Sequence, residues 1–532
     1  MQRLRSTIDP EAETFRANRL VMEQVLADHQ AHLDKTLAGG GQKYVDRHRA
    51  RGKMLARERV ELLVDLGTPL LELSPLAAAG TQFPTGASVV TAIGVVSGVE
   101  CLIIASDPTI RGGTINPISV TKILRAMDIA RENRLPLLFL VESGGADLPS
   151  QGEFYLRGGI QYRHLTQMSA MGVPTIALVF GNATAGGAYV PGMSDYTIMI
   201  KQQSKVFLGG PPLVKMATGE DADDEVLGGA EMHAQASGVC DYLAEDELDC
   251  LRMARQIVAH LGWRKLGPAP GPVQEPLEDP EELLGIASGD LKVPFDMREV
   301  LARIVDGSEL EEFKPSYGRA LLTGWARVHG YLVGVLANKQ GVLFSEESEK
   351  AAQFIQLANQ LDQPLIFVHN CTGFMVGADY ERRGIVKDGA KMINAVANST
   401  VPHISLMAGA SYGAGNYGMS GRPFNPRFAF SWPTARVAVM GGPQLAGVLS
   451  IVARRSAESQ GKFFDEAADE AMRRRIEEQI DNESTSLWNT ARLYDDGIID
   501  PRDTRHVLGM ALSAAHSGPV KGVRGGYGVF RM

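Results

Sequence analysis

The sequence predicts an α/β protein built from two copies of one fold, and three observations carry that expectation. The first is an apolar run with β-branched residues, Thr175–Phe180, stopped by Gly181 and followed by the small-residue turn Ala185-Gly186-Gly187-Ala188; a buried strand feeding a helix reads this way. The second is a repeat. A step of 228 residues places Pro174 on Pro402, Gly186 on Ala414, Gly187 on Gly415 and Tyr189 on Tyr417. The same step places Gly113 on Gly341, Lys122 on Lys350 and Pro136 on Pro364, the mark of an internal duplication. The third is length: 532 residues exceed what one hydrophobic core ordinarily organises.

In chain order, helical periodicity and mixed charge from Glu11 to about Leu37 predict a helix that Gly39-Gly40-Gly41 ends. The basic stretch Arg47–Lys53 then leads into an amphipathic helix at Arg57–Leu63. It reads either as a solvated helix face or as a contact for a polyanion such as the phosphates of coenzyme A. Val89–Ser97 and Glu100–Ser106 read as a hairpin about Gly98, Arg111–Thr114 as a turn, Ile118–Asn133 as a helix and Leu137–Val141 as a strand ending at Ser143-Gly144-Gly145. Glycines at strand ends matter because ligands of α/β sheets gather at the carboxyl ends of the strands. Another Gly-rich turn follows at Lys205–Pro212, then an acidic loop at Glu220–Asp224 and a helix at Met253–Leu261. Residues 267–296, rich in Pro and acidic groups, read as a linker between an N-terminal domain, 1–266, and a C-terminal domain, 297–532. The second half repeats the pattern with a hairpin at Leu321–Ala337, a helix at Ser345–Leu361, a strand at Pro364–His369 and a late charged helix at Glu466–Glu483.

Hydrophobic content of 44% and charged content of 22% are those of a globular protein in water. A net charge of −9 argues against a nucleic-acid binder. No apolar run is long enough to span a bilayer. Four cysteines without metal-like spacing read as buried thiols of a cytoplasmic protein.

The two turns carry the chemistry. The first amides of a helix lack partners, and residues with little side chain let a ligand approach them. Paired amides suit a developing negative oxygen. A single turn, taken alone, reads first as a tight strand-to-helix connection without chemistry, since lone Gly motifs are weak; the second copy shifts the balance to the chemical reading. Two turns imply two oxyanions; candidates are the enolate of a thioester and the ureido oxygen of a biotin-like ring as its carboxyl group leaves. Each donor is worth about 3 kcal/mol in a transition state. Neither a Ser–His–Asp order nor His-Glu-x-x-His occurs, and His403, in a predicted strand, reads as a core residue.

Several motifs carry a resemblance: Arg51-Gly52-Lys53, Ser143-Gly144-Gly145-Ala146, Thr184–Tyr189, Phe207–Lys215, Tyr412–Tyr417 and Met440-Gly441-Gly442. In this order, over nearly the whole chain, they resemble the carboxyltransferase β subunit of biotin-dependent acyl-CoA carboxylases. Pro211–Lys215 and Gly413–Gly418 resemble the methylcrotonyl-CoA and geranyl-CoA branch; the propionyl-CoA branch typically has Asp where this chain has Tyr417. The resemblance implies two crotonase-like (ClpP-like) domains per chain. It implies a β hexamer with each active site between the N-terminal domain of one subunit and the C-terminal domain of another, and a biotin carboxylase/biotin carboxyl carrier α subunit as partner.

Carried over residue by residue, Gly186 and Gly187 form one oxyanion hole, facing the CoA thioester, and Ala414 and Gly415 form the other, facing biotin. Gly112, Gly113, Ser143, Gly144, Gly145, Ala146, Tyr189 and Tyr417 are assigned to substrate, and Gly209, Gly210 and Asn416 to the biotin cofactor. Tyr189 and Tyr417 either shape the pocket or simply pack. In such a mechanism biotin itself is the base, which accounts for the missing catalytic side chain, and no metal is called for on this chain. The sequence has neither a Met-Lys-Met biotinylation site nor a Gly-x-x-x-x-Gly-Lys-Ser/Thr loop, so biotin and ATP chemistry are expected on the partner. Valine at Gly187 or Gly415 is expected to stop transfer without unfolding the chain.

The acyl group stays open among methylcrotonyl-like, propionyl or acetyl, and geranyl. A decarboxylase subunit of a sodium-pumping complex shares the implied fold. A crotonase-type hydratase needs a pair of acidic residues at the thioester, which neither turn supplies. The small residues intact at both turns argue against a scaffold without chemistry.

Overall fold

The computed structural model describes residues 2–291, 293, 295–339 and 341–532. Two mixed sheets are each wrapped by helices. The first runs in the order Leu71–Leu73, Val89–Val96, Val99–Ser106, Leu137–Ser143, Thr175–Thr184, Tyr196–Ile200, Tyr242–Ala244, with Lys205–Phe207 pairing the end of Thr175–Thr184. Its first two pairings are antiparallel and the others parallel. Parallel strands covered on both faces need continuous apolar runs; Leu137–Ser143 is accordingly buried at every position.

The second sheet repeats the first. Its order is Gln2–Arg3, Glu309–Glu312, Leu321–Val328, Tyr331–Asn338, Leu365–Phe374, His403–Tyr412, Phe428–Ser431, and Gly341–Leu343 and Arg436–Ala438 pair off this path. The strands Thr175–Thr184 and His403–Tyr412 begin and end on residues 228 apart. The hairpins do not keep that step: Val89–Ser106 and Leu321–Asn338 are 232 apart, because the chain between hairpin and helix is four residues shorter in the second half. Both hairpins turn on two left-handed residues, Ser97-Gly98 and His329-Gly330, the two-residue turn that matches strand twist.

The halves share one core. Leu135 and Leu137 of the first belong to the same buried cluster as Val328, Tyr331 and Leu512 of the second. The chain start lies with the second sheet: Gln2 and Arg3 pair with Leu310 and Glu309. The helix Glu13–Leu37 buries Phe15 and Met22 in the cluster that holds Leu283, Leu284 and Ile286. The span read as linker therefore contains a buried turn at Leu283–Ile286; Lys292 and Pro294 of that span lie outside the described residues. A twenty-residue helix, Gln151–Ala170, follows the Ser143 loop. Sequence periodicity does not announce it, because Gly158-Gly159 sits at its middle and its first half is largely exposed. Among the described residues, no helix is long and apolar enough to cross a membrane.

Candidate active site

At the end of Thr175–Thr184 the chain passes through Ala185 at φ +55° into the turn Ala185–Ala188 and the helix Tyr189–Met193. At the end of His403–Tyr412 it passes through Gly413 at φ +51° into the helix Gly413–Gly418. The same left-handed step at equivalent positions turns each chain sharply off the sheet end. Alanine pays about 1–2 kcal/mol for that conformation, so the first half holds strain where the second uses glycine.

Ala414 and Gly415 are the second and third residues of their helix, so their N–H groups have no carbonyl one turn behind them. Ala414 is exposed and Gly415 buried. Gly186 and Gly187 hold the matching places in the first turn and are half-buried. Around Gly187 there is open space: a Cβ would meet nothing within 4 Å. Gly415 differs, since a Cβ there would lie 2.6 Å from Cys371 Sγ and 3.2 Å from Gly373 Cα. Valine at Gly415 therefore disturbs the turn itself, which corrects the expectation that both substitutions spare the fold alike.

The Ser143 loop closes against the first turn. Ser143 Oγ donates to the Gly113 carbonyl (2.6 Å) and accepts from Gly145 N (3.1 Å), and Gly144 N donates to Gly112 O (3.0 Å). A Cβ on Gly113 would come within 2.4 Å of Glu142 O, so only glycine allows this approach. Gly112 and Gly113 thus buttress the loop from behind. Ser143, Gly145, Ala146, Ala185, Gly186 and Gly187 line one mostly apolar cavity of about 140 Å³, closed by Ile115, Phe139, Val141 and, from the helix Gln151–Ala170, Phe154 and Tyr162. Tyr162 and its neighbours on that helix escaped the sequence reading; the one available signal was their place in an apolar-spaced stretch interrupted by the glycine pair.

Other assigned residues fall elsewhere. Tyr189 is 43% exposed and meets Tyr162 edge-on at 5.8 Å. Tyr417 is exposed beside Phe424. Gly209 and Gly210 follow the strand Lys205–Phe207, which pairs with Asn182–Thr184, so they stand by the first turn. Asn416 belongs to the second turn, with its amide directed inward to Ser411 Oγ (2.7 Å). The structure does not bring these three together within one chain.

Most of the basic stretch is structural. Lys53 Nζ donates to Glu142 (2.5 Å) and to Phe180 O (2.9 Å). The buried Arg59 bridges Glu142 and Glu247, with contacts of 2.8–2.9 Å, and lies over the Phe180 ring. This network fixes Glu142 and with it the adjoining Ser143 loop. Arg49 and Arg57 pair with Glu58 and Glu72; Arg47 and Arg51 are left exposed. His403 is a core residue, placed between Ser420 Oγ (2.9 Å) and Ser399 Oγ (2.7 Å), and burial pushes its pKa down to about 3.

A site of this kind, a mostly apolar cavity ending at small-residue amides, can seat an acyl chain and hold a carbonyl oxygen. The model of the carboxyl transferase domain family matches residues 47–524. The chain is 65% identical over 529 residues to the "Probable biotin-dependent acyl-coenzyme A carboxylase beta2 subunit" of Mycobacterium tuberculosis, covering 99% of this chain and 100% of that one. It is 46% identical over 538 residues to the mitochondrial methylcrotonoyl-CoA carboxylase beta chain of Arabidopsis thaliana, covering 99% and 91%. Among solved structures, the beta subunit of geranyl-CoA carboxylase from P. aeruginosa superimposes with a TM-score of 0.91 at 43% identity over 98% of this chain and 99% of that one.

Proposed function

From the premise that this chain belongs to the carboxyl transferase domain family, as a β subunit of the biotin-dependent acyl-CoA carboxylases, we propose how its two halves divide the reaction. The first turn takes the acyl-CoA: the thioester oxygen lies against the amides of Gly186 and Gly187, and the acyl chain enters the apolar cavity beside them. The second turn takes the carboxyl donor at Ala414 and Gly415. Biotin, carried by a partner α subunit, supplies the carboxyl group. The exposed methyl of Ala414 fits the approach of a flat ring, and the buried Gly415 backs it.

The observation that carries this reading is the duplicated turn, entered by a left-handed residue at 185 and again at 413, with an apolar cavity beside the first. This chain's residues bind, orient and exclude water; electrostatic placement of amides supplies the stabilisation. No side chain among those carried over is a general base. The first turn opens beside exposed Leu208, Leu213 and Met216, and the second beside exposed Val439, Val448 and Val452. Exposed apolar surface around both half-sites supports completion of each site by a second copy, in a hexamer. We place the protein in the cytoplasm, with domain limits at residues 266 and 297.

Of the acyl groups, a methylcrotonyl-like one is favoured, on the similarity to methylcrotonoyl-CoA carboxylase beta chains and the modest cavity volume of about 140 Å³. The test is transfer of labelled bicarbonate by the chain together with its biotin-bearing partner over a panel of acyl-CoAs. A short branched acyl-CoA should be the best acceptor. Absence of transfer to every acyl-CoA would end the proposal, and a best rate with geranyl-CoA would reassign the acyl group.

A further inference from the structure

The mechanism above leaves the phenol of Tyr162 in the first half-site unused. Tyr162, on the helix Gln151–Ala170, lines the cavity together with Gly186 and Gly187. Its hydroxyl stands directly over the turn: a Cβ built on Gly186 would lie 2.4 Å from the Tyr162 oxygen and 3.6 Å from the ring carbon that bears it. The ring is held edge-on by Tyr189, with centroids 5.8 Å apart and planes at 69°. Among the described residues, the Tyr162 hydroxyl has no hydrogen-bond partner. The ring is half-buried, and the mostly apolar wall around it leaves the hydroxyl free to meet a ligand.

We propose that Tyr162 is a catalytic residue of the first half-site, its hydroxyl donating a third hydrogen bond to the substrate oxygen held by Gly186 and Gly187. This rests on the reading of that turn as the thioester site. Burial raises the Tyr162 pKa, so the group stays a neutral phenol and keeps its proton. As negative charge develops on the thioester oxygen, the O–H···O contact shortens and strengthens; the proton remains on Tyr162 and no bond to it breaks. A donor aimed at the place where charge grows acts on the transition state more than on the bound substrate.

The geometry supplies its own double-variant test. Tyr162→Phe removes only the hydroxyl and keeps the ring against Tyr189. In the complete enzyme with its biotin-bearing partner, it should lower kcat about a hundredfold, leave KM for acyl-CoA and the thermal midpoint unchanged, and spare the biotin-side partial reaction. Gly186→Ala should be destabilised by its clash with the hydroxyl. Gly186→Ala on the Tyr162→Phe background should recover that stability, because only a ring carbon at ordinary contact distance then remains. Wild-type kcat in Tyr162→Phe, or a loss confined to KM, overturns the proposal. Gly187→Val serves as the separate control. If Gly187→Val is inactive while Tyr162→Phe is normal, only the role of Tyr162 fails; if Gly187→Val is fully active, the reading of the turn fails.

Discussion

Asn416 donates its side-chain amide to the hydroxyl of Ser411 across 2.7 Å, and the same hydroxyl meets His369 Nδ1 at 2.8 Å. At the positions 228 residues earlier stand Ala188, Ala183 and Val141, all buried. One turn is thus braced by a chain of polar side chains and its counterpart by apolar packing. His369 is fully buried, and burial pushes its pKa down to about 3, so the brace is uncharged. The duplicated fold keeps the path of the backbone and changes what secures it.

Replacing Ser411 by Ala strands the Asn416 amide and His369 in a dry interior. An unsatisfied buried polar group costs about 1–3 kcal/mol, and Ser411→Ala should lose stability in that range by denaturant melts. The damage should stay local: acyl-CoA binding at the first turn, read by calorimetry, should be unchanged while the biotin-side reaction slows. A variant as stable as the parent would show that the brace carries no weight.

Gly187→Val and Ala414→Val are the matched pair that separates the two half-sites. Gly187 faces open space and Ala414 is exposed, so both variants should fold. Each should lose about two to three orders of magnitude in overall transfer. Gly187→Val should weaken acyl-CoA binding, whereas Ala414→Val should retain it and lose the biotin-side reaction. The reverse pattern would exchange the assignments of the two turns. Gly415→Val is a poor substitute, since the collision with Cys371 Sγ at 2.6 Å mixes a folding defect into the rate.

Lys122 and Lys350 repeat an unusual device. The Lys122 ammonium is buried and donates to Val89 O (2.6 Å) and Gly86 O (3.3 Å); Lys350 donates to Leu321 O (2.8 Å) and Gly318 O (3.3 Å). Burial lowers the Lys122 pKa from 10.5 to about 7. Between these values the unfolded chain binds the proton and the folded one does not, so stability should rise with pH across that window and level off above it. Lys122→Met should flatten this rise in thermal midpoints taken from pH 7 to 10. Parallel slopes for parent and variant would mean that the lysine keeps an ordinary pKa.

Strand positions and the duplication were legible in the sequence because both rest on local signals. Apolar runs ending in glycine locate Thr175–Thr184 and His403–Tyr412, and a constant step relates them. The helix Gln151–Ala170 was not legible: Gly158-Gly159 reads as a break, and tertiary contact through Phe154, His164 and Leu165 overrides it. Tyr162 was lost with that helix. The start of the chain reads as part of the half that follows it, although Gln2 and Arg3 pair with the distant strand Glu309–Glu312; no periodicity reveals a partner some 300 residues away. The basic stretch and the helix after it hide their partners in a different way. Lys53 and Arg59 look solvated in sequence, and only Glu142 and Glu247, brought in by the fold, show that they are interior.

Asp495 and Asp496 lie side by side at the seam between the halves, both buried. Asp496 has help: burial opposes its charge, but Arg125, from the first half, binds it at 2.7 and 2.8 Å, and its pKa is lowered. Asp495 has no cation bound to it among the described residues; it accepts from Ser431 Oγ (2.6 Å) and Gly497 N (3.1 Å), and the Thr490 hydroxyl also favours its charge. Burial, with the neighbouring Asp496 charge, raises its pKa from 3.8 to about 6. Between these values the folded chain holds a proton that the unfolded chain has released. Stability contributed by Asp495 therefore falls as pH rises from about 4 to 6, and the full cost of the buried charge is present above that. Asp495→Asn keeps the shape, still accepts from Gly497 N and removes the charge. It should stabilise the protein at pH 8 by a few kcal/mol at most, and the gain should shrink to almost nothing near pH 4, where the folded parent is protonated and the unfolded chain is near its own pKa. Chemical melts of parent and variant at the two pH values decide the matter: a variant less stable than the parent at pH 8 would show that the Asp495 carboxylate is needed in its charged form.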